Sequence, residues 1–256
     1  MTTTAQPSAK RINRGRGHSY ELDGRKVPGI TTILGGGIPK PALVNWAAKE
    51  SAQYVLDRWD ELVALQPSQR YDAVLGARFE SQRSAAVRGT DVHALAERHL
   101  AGEEIEVPEH LVGHVDAYEA FLADWEPAEL FVERPVFSRR WQYAGTPDLC
   151  ATLNDGKVWL LDWKTSGKGI FPENALQLAA ARFAEFVLAD DGREVPVPAI
   201  DRCGCVWLRA DGYDLVPVEA GDDVFRYFLW AKRIYEFTNE PSGTWVGEAV
   251  QPRRAS

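Results

Sequence analysis

Two short apolar runs joined by a tight turn, each with an aspartate at its open end, constrain this chain more than any other part of it. The first leads from Gly145-Thr146-Pro147-Asp148 into Leu149-Cys150-Ala151-Thr152-Leu153; the second is Val158-Trp159-Leu160-Leu161-Asp162-Trp163-Lys164. Both have strand length, and Asn154-Asp155-Gly156 between them is a hairpin signal. Residues two apart on a strand share a face, so Asp162 and Lys164 point the same way. A three-residue loop with Gly156 in the left-handed conformation sets Leu153 opposite Lys157 and Asp148 opposite Asp162. A two-residue loop would send Asp148 to the other face. Convergence of the two acids therefore requires the longer loop. Facing like charges destabilise a strand pair, so the arrangement calls for a cation to offset them.

Carboxylates grouped in this way hold hard divalent cations through oxygen. A lysine beside them steadies an attacking water or the negative charge that develops on a phosphoryl group. Asp148, Asp162 and Lys164 together are equipment for hydrolysing a phosphodiester.

The rest of the chain supplies the setting. Its 256 residues are 45% hydrophobic, enough for a packed core in one large domain or two small ones. No run of about 18 apolar residues suggests a membrane span. The first residues, Met-Thr-Thr-Thr-Ala-Gln-Pro-Ser, contain no apolar signal core, so a cytoplasmic protein is expected. Three cysteines are an odd number for a disulfide framework. Cys203 and Cys205 read as buried thiols rather than metal ligands. A net charge of −8 argues against a bulk electrostatic grip on nucleic acid, though not against a local basic groove.

Residues 1–16 read as a disordered basic tail. Residues 17–102 read as a β-hairpin and a helical cap: a hairpin over 18–27, a short helix before Gly35-Gly36-Gly37, and helices from Pro41 to about Leu65, from about Ser68 to Ser84 and from Thr90 to about Leu100. Residues 103–240 read as the main domain, and 241–256 as a loose tail. Within the main domain a helix from about Pro108 to Trp125 precedes strands Leu130–Phe137, Tyr143–Leu153 and Val158–Trp163. A helix from Pro172 to about Leu188, strands Cys203–Leu208 and Tyr213–Val218, and a last helix from Gly221 to about Thr238 follow. The expected fold class is α/β: an αβββαβ core with a mixed central sheet flanked by helices, and an N-terminal helical cap or arch.

With these elements in place, the chain resembles the PD-(D/E)xK nucleases in their RecB-like branch. Pro147-Asp148 followed by Asp162-Trp163-Lys164 carries the motif. Gly89-Thr90-Asp91-Val92-His93 matches the helical Gly-x-x-x-His of that branch, and Gln177 matches the glutamine on the helix after the lysine strand. The aromatic residue usual four positions after that glutamine is here Ala181. The opening stretch through Lys40-Pro41-Ala42-Leu43 and Trp46 is similar to phage exonucleases of the branch and to the mitochondrial genome maintenance exonuclease. The resemblance spans roughly residues 18–240.

It implies a restriction-endonuclease-like fold and a metal-dependent DNA exonuclease serving phage or bacterial recombination, repair or replication. It implies catalytic roles for Asp148, Asp162, Lys164 and Gln177. The metal, Mg²⁺ or Mn²⁺, would be held by His93, Asp148, Asp162 and the backbone carbonyl of Trp163, and an imidazole ligand favours Mn²⁺. Glu97, one helical turn after His93, and Glu133 are candidates for an outer shell. Thr165, Ser166 and Lys168, in the loop after the lysine strand, are candidates for phosphate contact, against a plain connector. Some members hold an iron–sulfur cluster with four cysteines; this chain has three, away from the flanking positions, so no cluster is expected.

DNA ends or single strands are the expected partners, with recombination proteins as further candidates. The basic cluster Lys10 to Lys26 is either a solubilising tail or a DNA-touching arm, and Trp46, Trp141 or Trp163 is a candidate to stack on an unpaired base. Two alternatives stand beside the exonuclease: an endonuclease with the same chemistry, and a non-catalytic DNA-binding accessory protein. Polarity, strand preference and oligomeric state are open at this level.

Overall fold

The computed structural model describes residues 9–14, 17–77, 107–167, 169–240 and 245–250. Its order is β1 (Ala9–Arg14), β2 (Gly17–Leu22), β3 (Arg25–Val27), α1 (Ile30–Gly37), α2 (Pro41–Asp57) and α3 (Trp59–Ala64). Next come α4, helical over residues 67–77, a 3₁₀ turn Glu109–Leu111 and α5 (Val112–Trp125). Strands β4 (Ala128–Val132), β5 (Val136–Ser138), β6 (Tyr143–Gly145), β7 (Leu149–Thr152) and β8 (Val158–Lys164) follow. The chain continues through α6 (Pro172–Arg182), β9 (Phe186–Leu188), β10 (Glu194–Pro196), β11 (Arg202–Arg209), β12 (Gly212–Pro217) and α7 (Asp222–Asn239). The fold class is mixed α/β, as expected from the sequence.

A five-stranded sheet in the order β12-β11-β8-β7-β4 forms the centre, with β8 and β11 parallel and the other pairs antiparallel. Along the chain, its strands and the helices that cover them read α5, β4, β7, β8, α6, β11, which is the expected αβββαβ sequence. The two faces follow from alternation along the strands. Leu149, Ala151, Trp159, Leu161, Trp163, Val206 and Leu208 pack with Tyr118 and Phe121 of α5. Cys150, Leu160, Cys203 and Cys205 pack on the other face with α1, α6 and Phe228 of α7. Asp162 and Lys164 have the parity of Leu160, and Asp148 that of Cys150, so all three belong to the face covered by α6.

The β7–β8 hairpin takes the longer loop. The Leu153 N–H donates to the Lys157 carbonyl at 3.0 Å, the Gly156 N–H to the Leu153 carbonyl at 2.9 Å, and Gly156 has φ 72°. Leu149 pairs with Leu161 and Cys150 with Leu160, a register that puts Asp148 opposite Asp162 when extended by one position.

Several expectations are corrected. Ala9–Arg14, assigned to a disordered tail, is a strand paired along its length with β2. The single strand expected over Leu130–Phe137 divides into β4 and β5, because Glu133 turns with φ 46° and Pro135 lacks a backbone donor. The single strand expected over Tyr143–Leu153 divides into β6 and β7 around Pro147. Strands β5 and β6 leave the central sheet for a four-stranded sheet ordered β10-β9-β5-β6. The helix expected to reach Leu188 stops at Arg182, and Phe186–Leu188 becomes β9 in that sheet. The long helix from Pro41 breaks at Arg58 into α2 and α3. Helix α2 buries none of its residues, leaving Leu43, Val44 and Leu56 exposed. The helix expected at Thr90–Leu100 lies outside the described residues.

Helix α1 continues through all three glycines of Gly35-Gly36-Gly37, where a stop was expected. The reason is its contact with α7. A Cβ on Gly37 would lie 2.1 Å from the Ala231 carbonyl oxygen, and one on Gly36 would lie 2.7 Å from the Tyr235 ring. Close approach of α7 explains Gly36 and Gly37 better than chain flexibility does.

Candidate active site

The site forms where the chain crosses from one sheet to the other. Strand β6 ends at Gly145, Thr146 and Pro147 make the crossing, and Asp148 stands at the entrance to β7. Asp148 is 7% exposed and Asp162, near the end of β8, is 3% exposed. Carboxylates so buried need partners. Asp148 Oδ2 accepts a hydrogen bond from the Trp163 N–H at 2.6 Å, and the Asp148 carbonyl accepts one from the Glu133 N–H at 3.0 Å. The first contact fixes the Asp148 carboxylate on β8. The second makes Glu133, at the turn ending β4, part of the support for this segment.

Asp162, Lys164 and Gln177 form a closed triangle. Lys164 Nζ is ion-paired with Asp162 Oδ2. Gln177 Nε2 donates to Asp162 Oδ1 at 2.6 Å, and Gln177 Oε1 accepts from Lys164 Nζ at 3.4 Å. Helix α6 delivers Gln177: Pro172 starts the helix, the Asn174 side chain caps the Phe171 N–H at 2.9 Å, and Glu173 is bound to Lys40 at 2.9 Å. Leu178, Ala179, Ala180 and Ala181 are all buried, so this stretch of α6 is enclosed between the sheet and helices α1 and α7. Small residues there bring the helix close enough for its glutamine to reach two strand side chains.

Burial by itself lowers the pKa of Lys164, but the charges of Asp162 and then Asp148, with the Asp162 hydrogen bond, outweigh it and the net shift is upward. Lys164 is therefore an ammonium at neutral pH, a donor and a positive charge rather than a general base. A folded-state pKa above the unfolded one stabilises the fold fully below the ordinary lysine value, and that contribution is lost as pH rises through the folded value. Urea unfolding of wild type and Lys164→Met should thus differ by a constant amount from pH 6 to 9, with the gap closing only above about 10.4. A gap that closes near neutrality would contradict an ammonium here.

The donor set suits a hard divalent cation. Two carboxylates face each other on adjacent strands, and Mg²⁺ is usually bound by one or two carboxylates, keeping waters and substrate oxygens for the rest of its shell. Among the described residues, no group of three or more His, Cys, Asp or Glu side chains could hold a metal by itself. His93, Glu97 and Lys168 lie outside the described residues. Of the other candidates, Trp163 has its side chain buried edge-on against Tyr118 and Phe121, which removes it as a platform for a base. Trp46 and Trp141 are half-buried. Ser166 is exposed, and its carbonyl accepts from Trp207 Nε1 at 2.7 Å, which ties the loop containing Thr165 and Ser166 to β11.

A cavity of about 80 Å³ opens beside the triangle, walled by His18, Tyr20, Thr31, Thr146, Asp162 and Gln177 among others. Sequence reasoning missed His18, Tyr20 and Thr31. They come from β2 and α1, more than a hundred positions before Asp162, and no local spacing signals that approach.

Comparison with known proteins adds little. No family model matches the chain, and no curated protein matches it. A solved structure, SSO0001, is 14% identical over 75% of this chain and 72% of its own, with a TM-score of 0.32. A likeness at that level carries no argument. No helix among the described residues is long and apolar enough to cross a membrane.

Proposed function

We propose that this chain is a metal-dependent deoxyribonuclease that degrades DNA from its ends, a PD-(D/E)xK nuclease of the RecB-like branch. The observation that carries the reading is the convergence of Asp148, Asp162 and Lys164 on one sheet face, with Gln177 bonded to both Asp162 and Lys164. The αβββαβ order around it supports the same reading.

Asp148 and Asp162 would hold the cation, Mg²⁺ or Mn²⁺, with His93 and the Trp163 carbonyl as the further ligands that the resemblance implies. A cation there neutralises phosphate charge and makes water more acidic. The side chains do the rest. The Trp163 N–H keeps Asp148 aimed at the site. Gln177 holds Asp162 and Lys164 in fixed relation, so that neither has to reorganise during the reaction. Lys164 donates a hydrogen bond to the attacking water or to a non-bridging phosphate oxygen and stabilises the charge that accumulates there. The chain's net charge of −8 repels a polyanion at long range, so contacts near the site have to hold the strand.

The test is digestion of end-labelled single- and double-stranded linear DNA beside a covalently closed circle, with Mg²⁺, Mn²⁺ or EDTA. The expected result is metal-dependent loss of linear DNA with the circle intact. Cutting of the circle would replace the exonuclease with an endonuclease of the same chemistry. No cutting with either metal would leave a DNA-binding accessory protein.

A further inference from the structure

Polar groups from three separate segments meet in the cavity beside Asp162. Arg11 Nη2 lies 3.5 Å from His18 Nδ1, His18 Nε2 lies 2.8 Å from the Tyr20 hydroxyl, and that hydroxyl lies 2.8 Å from Thr146 Oγ1. A guanidinium only donates, so His18 Nδ1 accepts and the imidazole proton sits on Nε2. His18 Nε2 then donates to Tyr20, Tyr20 donates to Thr146, and the Thr146 proton is left to point onward. Burial, and after it the Arg11 charge, lowers the His18 pKa, which keeps the imidazole in this neutral form at physiological pH.

The frame is rigid. Tyr20 is 4% exposed, packs edge-on against Phe137 at 5.9 Å and meets His18 edge-on at 5.0 Å. Ile30 and Thr31, in the first turn of α1, line the same cavity, and no side chain caps that helix end. The positive end of that helix favours an anion nearby. Among the described residues of the wall the carboxylate is Asp162, which is paired with Lys164. The space open to water-sized molecules, about 80 Å³, holds several waters and leaves room for a tetrahedral oxyanion.

We propose that this cavity is a phosphate subsite, in which the hydroxyls of Thr146 and Thr31, the first oriented by the Tyr20–His18 relay, donate to the non-bridging oxygens of a phosphate one step along the strand from the bond that is cut. The identification of that phosphate as part of a DNA strand rests on the nuclease reading; the affinity for a phosphate oxyanion does not. Hydroxyl groups and a helix N-terminus are common phosphate contacts, and they fix the register of a strand without reading its sequence. Thr146 stands two residues before Asp148, so the same short crossing would grip the strand and present the metal-binding carboxylate.

The test is titration of the full chain with inorganic phosphate in EDTA, followed by the ring ¹⁵N resonances of His18 and the amide of Thr146. Saturable shifts are expected in wild type. Tyr20→Phe keeps the ring and its packing, and Thr146→Val keeps the side-chain volume. With unchanged circular dichroism, each should weaken phosphate binding by about tenfold. In DNA cleavage both should raise KM by more than they lower kcat, whereas a purely structural brace would lower kcat at constant KM. Absence of saturable shifts, or wild-type phosphate affinity in both variants, overturns the subsite. Phosphate binding in a wild-type chain that cuts no DNA would keep the subsite and remove the nuclease reading. DNA cleavage without phosphate binding would do the reverse.

Discussion

Asp162→Asn is expected to lower DNA cleavage by about 10²–10³-fold or more, the usual cost of removing one preorganised electrostatic group. The substitution keeps size and shape, so the loss comes from charge. Asp162 is 3% exposed and carries the Lys164 ion pair on one oxygen and the Gln177 amide on the other. An asparagine either presents its NH₂ to the Lys164 ammonium or turns that NH₂ against the Gln177 NH₂, and each choice sets donor against donor. The charge that would anchor a divalent cation is gone in both cases. Lys164 loses its counter-charge while its side chain is only 24% exposed, so stability should fall as well. The double variant Asp162→Asn/Lys164→Met should recover part of the stability, because the Lys164 ammonium no longer stands without its nearest counter-charge while the buried Asp148 loses the Lys164 charge, and recover no cleavage. Cleavage rates and urea midpoints of the three variants separate the two effects. Wild-type cleavage by Asp162→Asn would end the proposed mechanism.

Gly37→Ala should destabilise the fold by about 1–3 kcal/mol, a typical cost of overpacking. For a chain of this size that corresponds to a fall in Tm of roughly 2–12 °C. Elsewhere in a helix the same change usually adds about 0.5–1 kcal/mol of stability by reducing backbone entropy in the unfolded chain. Here the new methyl group would lie 2.1 Å from the Ala231 carbonyl oxygen and 2.8 Å from its carbon, so α1 and α7 must separate. Gly35 is the internal control: it belongs to the same helix, and a Cβ there meets nothing within 4 Å. Gly35→Ala should be neutral or stabilising. Equal melting temperatures for the two variants would show that the α1–α7 approach does not limit stability. The first turn of α1 walls the cavity beside Asp162, so a displaced α1 should weaken phosphate binding as well.

The hairpin at the centre of the site was legible because its signals are local. Strand alternation, the Asn154-Asp155-Gly156 turn and the parity of Asp162 and Lys164 lie within about twenty residues, and the observed register agrees with them. Features decided by distant partners were not legible. Leu176, Ala180, Phe183 and Val187 read as one helical face, yet the helix ends at Arg182. The Glu185 N–H bonds to the Phe137 carbonyl at 2.8 Å, and Phe186 stacks on Phe137 at 5.4 Å, so the sheet claims this stretch. Strand β1, Lys-Arg-Ile-Asn-Arg after Ala9, has too few apolar residues to announce itself and exists through its pairing with β2. The crossing at Pro147 was read as strand because its flanks are apolar, although the two flanks belong to different sheets. The Tyr20–Thr146 contact spans 126 positions and no pattern within either segment encodes it.

The three cysteines have a practical consequence. Cys150, Cys203 and Cys205 are all buried, and burial pushes their thiols up to about 12, 11 and 12 respectively. Alkylating reagents attack thiolates, so native chains should resist maleimide at neutral pH. A cysteine introduced on the surface, for example Ser166→Cys in the loop after β8, would be the single reactive handle without removal of any natural one. A fluorophore placed there would test the proposed nuclease reading directly, since on that reading its emission should change when a DNA strand is added, in a chain whose core remains unaltered.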